Sequence, residues 1–107
     1  MPNTISYNTV INAWSKSGEK GAAQKAEAIL LRMEDMNKAG NAKVVPNTVS
    51  FTSVINSWAN SGEKGAAQRA EDILLHMQKM HDNGNKYVMP NTISYNTVIN
   101  AWSKSGE

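Results

Sequence analysis

Apolar side chains recur at Tyr7, Val10, Ile11 and Trp14, the i, i+3, i+4, i+7 spacing of one stripe along an amphipathic helix. The intervening positions Asn8, Thr9, Asn12 and Ser15 are polar, so the opposite side of that helix faces water. Asn3 or Thr4 can cap its N-terminus, Pro2 stops it from extending backwards, and Gly18 ends it. A second stripe follows at Ala22, Ala26, Ile29, Leu30, Met33 and Met36, and residues 22–35 are rich in strong helix formers. Gly40 supplies a left-handed stop. The pattern therefore predicts a helical hairpin, with the small Ala26 where the two helices come close.

The hairpin pattern then repeats. Phe51, Val54, Ile55 and Trp58 reproduce the first stripe, and Ala66, Ala70, Ile73, Leu74, Met77 and Met80 reproduce the second. Tyr95, Val98, Ile99 and Trp102 begin a third copy. Pro2, Pro46 and Pro90 mark a constant step of 44 residues, and 26 of 44 positions are identical between 2–45 and 46–89. Residues 2–19 and 90–107 are identical throughout. A period of this size belongs to stacked repeats, in which each unit buries its apolar face against its neighbours. The fold expected is all-α: an open α-solenoid of about five helices. Its single array divides into repeat 1 (2–45), repeat 2 (46–89) and a partial repeat 3 (90–107). Such arrays usually need at least about three units. Two hairpins and a lone helix therefore suggest an excised or designed piece of a longer array, whose matching ends favour head-to-tail self-association.

Composition narrows the chemistry. The net charge of +2 tolerates a polyanion but is far from a saturated basic patch, and the absence of cysteine excludes disulfides and thiolate metal sites. No stretch reads as a membrane span or a targeting segment. His76 and His81 are five apart, a poor spacing for one helix face, and have no third ligand in view, so no metal site is expected. No nucleophile–base pairing or phosphate-binding glycine loop recurs, so neither catalysis nor a cofactor is expected. Trp14, Trp58 and Trp102 read as core. Glu27, Glu34, Asp35, Glu71 and Asp72 read as solvated helix faces.

The segments "ISYNTVINAWSKSG" and "AEAILLRMEDM", followed by Gly and "PN", resemble the pentatricopeptide repeat family. The likeness spans all three copies: the Tyr-Asn-Thr run, the Gly after the first helix, the Ala and Met of the second, and the closing Pro-Asn. The unit is about nine residues longer than the family's usual one. The extra residues fall near 19–24 and after Met33, where they lengthen the second helix or the loop 37–45. Membership of this family implies single-stranded RNA binding at about one nucleotide per unit, in mitochondria or chloroplasts. The resemblance assigns base selection to Asn8 with Asn47, to Thr52 with Asn91, and to Asn96 in the partial unit. It gives a pyrimidine, cytosine over uracil, for the first pair and adenine for the second, so the expected core is 5′-(C/U)A-3′. Ile5, Val49 and Ile93 would sandwich the bases. Lys16 and Lys104 would contact phosphate, with Asn60 replacing the lysine in the middle unit.

The residues themselves support part of this scheme. Asn8 lies off the apolar stripe, and Ile5, Asn8 and Asn12 share one face of their helix. An amide there offers both donor and acceptor to the edge of an unstacked base. The competing reading is a structural or protein-interaction scaffold within a larger organellar ribonucleoprotein assembly, for which that face is merely solvated. The matching ends generate a first prediction: light scattering at rising concentration should show open-ended association, and a strictly monomeric species would contradict it.

Overall fold

A computed structural model describes residues 3–105 and is all-helical; the role expected for Pro2 lies outside the described residues. Five helices follow in order: α1 (Thr4–Ser17), α2 (Ala22–Lys38), α3 (Thr48–Ala59), α4 (Ala66–Asp82) and α5 (Thr92–Ser105). Asn3, rather than Thr4, caps α1, its side chain accepting from the Ser6 amide (3.0 Å) while the Ser6 hydroxyl accepts from the Asn3 amide (3.3 Å). Asn47 and Ser50 repeat this reciprocal box at α3. Gly18 ends α1 at φ 69°, in the left-handed region where a side chain would be strained. In α3 the position of Lys16 is held by Asn60, a weaker helix former, and the helix stops two residues sooner than α1.

Each unit spends most of its second half on a long helix and a return loop. α2 and α4 each run for 17 residues, and each is followed by a nine-residue connection that returns to the start of the unit. Thr4 fastens that return. Its amide donates to the Lys43 carbonyl (3.1 Å), and its hydroxyl accepts from the Val45 amide (2.8 Å). Thr48 does the same with Tyr87 (3.1 Å) and Met89 (2.9 Å). The loops also plug the core, since Val44 and Val88 are fully buried. Asn37 donates to the Val44 carbonyl (2.9 Å), and His81 Nδ1 lies 3.2 Å from the Val88 carbonyl oxygen. His81 is thus a loop fastener.

The helices pack as hairpins, α1 on α2 and α3 on α4, and each second helix also meets the next first helix. α1, α3 and α5 lie side by side as one layer, whereas α2 and α4 form a second layer without packing on each other. The smallest dimension of the molecule, 18 Å, fits two layers of helix. Phe51, Ile11, Met33, Ile55, Met77, Val54, Ala26 and Ala70 are almost wholly inaccessible, as the two stripes require. Val10, at 44% exposed, departs from the expected stripe because no preceding unit covers it; its counterpart Val54 is buried. Ile99 (62%) and Ile55 (0%) show the same contrast at the other end.

The acidic positions depart further from expectation. Asp35 and Asp72 are exposed as expected, but Glu27 and Glu71 are half-buried and each accepts a hydrogen bond from the indole N–H of the following unit, Trp58 to Glu27 (2.8 Å) and Trp102 to Glu71 (2.7 Å). Glu27 is also paired with Arg69, whose guanidinium lies over the Trp58 ring. Glu34 is buried and meets His76 Nε2 at 3.0 Å. Only an acceptor can satisfy a buried indole N–H. Glu27→Ala should therefore cost about 1–3 kcal/mol by leaving that donor orphaned, and Glu27→Gln should cost less because its carbonyl still accepts. Denaturant unfolding of the two variants checks the order.

Candidate nucleic-acid interface

Two structural devices meet at the seam between α1 and α3. Capping fixes Asn47, whose Oδ1 must accept from the Ser50 amide (3.1 Å) to satisfy the first turn of α3. The amphipathic pattern of α1 places Asn8 on the same seam, half-buried, and its Nδ2 donates to that same Asn47 oxygen at 3.1 Å. The Ser50 hydroxyl in turn donates to Asn8 Oδ1. Two residues 39 apart in sequence, from different units, are thus brought into direct contact. Both hydrogens of Asn47 Nδ2, the second hydrogen of Asn8 Nδ2 and a lone pair on Asn8 Oδ1 remain for a ligand.

The second pair is arranged differently. Asn91 is exposed, and its Oδ1 accepts from the Ser94 amide (2.9 Å) and hydroxyl (3.0 Å) at the start of α5. Thr52 is half-buried, and its hydroxyl oxygen is shielded from solvent with no hydrogen-bond partner, so no bond joins it to Asn91. A threonine in a helix usually returns its hydroxyl to the preceding turn; Thr9 does so with the Ile5 carbonyl at 2.8 Å. A rotation about χ1 is what would bring the Thr52 hydroxyl outward. Asn96 is exposed on α5.

Ile5, Val49 and Ile93 are exposed by 74, 57 and 65%, one unsupported β-branched side chain per unit on the second residue of α1, α3 and α5. Lys16 and Lys104 are exposed in the last turns of α1 and α5, and Asn60 caps the C-terminus of α3 between them. None of these three helices carries an acidic residue in its first turn, so their positive dipole ends stay uncompensated. The outer layer differs in the charges along its groove. Its groove between α2 and α4, about 330 Å³, is bounded by Glu27, Glu34, Asp35 and Asp72 against Lys38, Arg69 and His76, a poor surface for phosphates.

Ser50 was not legible as part of this site, although a serine recurring three residues after each Asn signalled a capping box. Comparison with protein-family models, with curated proteins and with solved structures finds no match. Among the described residues, no helix is long and apolar enough to cross a membrane. The double duty of Asn47 as cap and neighbour of Asn8 has a measurable consequence. Asn47→Ala should lower stability by about 1 kcal/mol through loss of the cap, and Asn47→Asp should keep most of it, as followed by thermal unfolding.

Proposed function

We propose that the chain is part of an α-solenoid of the pentatricopeptide type that binds single-stranded RNA, its α1–α3–α5 layer turned to the strand. The observation that carries this reading is the direct hydrogen bond between Asn8 and Asn47, the two positions that the family resemblance pairs for base selection. Reading by a residue pair requires the two side chains to reach one base together, and their contact meets that requirement. The ladder of exposed Ile5, Val49 and Ile93 supports it independently, because flat bases need apolar partners on either side. Asn8 with Asn47 takes a pyrimidine, and Thr52 with Asn91 takes adenine once the Thr52 hydroxyl turns outward. Lys16 and Lys104 contribute phosphate contacts at the ends of their helices.

Magnitudes set the conditions of the test. Each base contributes about 1–3 kcal/mol of stacking and edge contacts. Two complete units therefore give about 2–6 kcal/mol before ordering costs, a millimolar or weaker complex. The two lysines at phosphate positions imply a shallow salt dependence. A concatenated array of these units should prefer RNA carrying 5′-(C/U)A-3′ repeats over strands altered only at those positions. Thr52→Asn, made in every such unit, should abolish the adenine preference while leaving the pyrimidine one. Equal affinity for all sequences, read by fluorescence anisotropy, would remove the proposal in favour of a scaffold.

A further inference from the structure

We infer that Ser50 is a specificity-positioning residue: from the unit that follows, it sets the orientation of the Asn8 amide and hence which pyrimidine the first unit favours. The inference rests on the RNA-binding reading above and extends it to a residue outside the pairs assigned by resemblance.

The geometry leads there in three steps. Asn47 Oδ1 is fixed as an acceptor by the Ser50 backbone N–H, which has no other partner at the start of α3. Whichever atom of Asn8 faces that oxygen must then be a donor, which selects Nδ2 and turns Asn8 Oδ1 away. Ser50 completes the arrangement. Its hydroxyl oxygen accepts from the Asn47 amide (3.1 Å), and its one hydrogen goes to Asn8 Oδ1, nearer than its alternative acceptor Asn47 Oδ1 at 3.2 Å. Ser50 is fully buried, so its hydroxyl bonds to these protein partners and not to water. Reversing the Asn8 amide would set two carbonyl oxygens against each other and leave the Ser50 hydrogen facing an N–H group.

This order of donor and acceptor matters chemically because cytosine and uracil differ by exchanging one. Cytosine presents an amino donor and a bare N3, whereas uracil presents a carbonyl and an N3–H. An amide held one way round distinguishes them; an amide free to turn does so less. The next unit provides an internal control. Ser94 is equally buried and makes the same capping contacts with Asn91, yet Thr52 receives no hydrogen bond from it.

The test uses the full chain, isotopically labelled, titrated by NMR at millimolar concentration with trinucleotide RNAs that differ only in C or U at the first position, or in A or G at the second. Ser50→Ala should narrow the cytosine-to-uracil affinity ratio by about 2- to 10-fold, the range that one hydrogen bond supports, and leave the adenine preference alone. Ser94→Ala loses a comparable cap and should change neither ratio. An unchanged C/U ratio in Ser50→Ala, or an equal change in Ser94→Ala, overturns the inference. The side-chain amide resonances of Asn8, recorded without RNA, judge the orientation separately: they should move in Ser50→Ala and stay in Ser94→Ala. If the parent chain distinguishes no bases, the RNA reading fails and the specificity role of Ser50 fails with it. In that event the Asn8 resonances still decide whether Ser50 orients the amide.

Discussion

The fold depends on the joint between one unit and the next. A first helix cannot bury its Phe51–Trp58 face within its own hairpin alone; it needs the second helix of the unit before it. That burial carries an indole N–H into the joint, where an unmatched donor would offset much of the gain. Glu27 answers it for Trp58 and Glu71 for Trp102, in the same geometry 44 residues apart. The glutamate therefore contributes register as well as stability, because a slipped neighbour would present its tryptophan where no acceptor waits. The cationic groups above the rings, Lys25 on Trp14 and Arg69 on Trp58, repeat at the same step within each hairpin, and Arg69 also reaches across the joint to Glu27.

Periodicity made the helices, their stripes and their repetition legible, because burial against a neighbour leaves a direct trace at three- and four-residue spacing. The stripes failed where a neighbour is lacking, at Val10, Tyr95 and Ile99. Roles set by long-range polar geometry were not legible. Glu27, Glu34 and Glu71 look like surface residues in a helical pattern, since the pattern of one helix does not say which tryptophan or histidine its neighbour brings. The return loop was legible as a loop, but its burial of Val44 and its fastening by Thr4 were not, because both depend on contacts some 40 residues away.

The candidate site divides along the same line. The resemblance placed Asn8 and Asn47 together, and they touch. It placed Thr52 and Asn91 together on the same grounds, yet no hydrogen bond joins them. The difference is chemical: an asparagine reaches across the seam to the neighbouring cap and a threonine, whose hydroxyl sits one bond nearer the backbone, does not. Ser50 escaped notice because its duty at the helix start is local and sufficient by itself, whereas its bond to Asn8 exists only once two units are stacked.

The two layers are fastened by different means. α1, α3 and α5 press together along their lengths, while α2 and α4 are linked only by the tips of side chains, Arg69 to Glu27 and His76 to Glu34. Such a molecule bends like a bound book, stiff at the spine and loose at the fore-edge. Any opening of the outer row would change the curvature of the stack more than the spacing between Ile5, Val49 and Ile93, which the inner row holds.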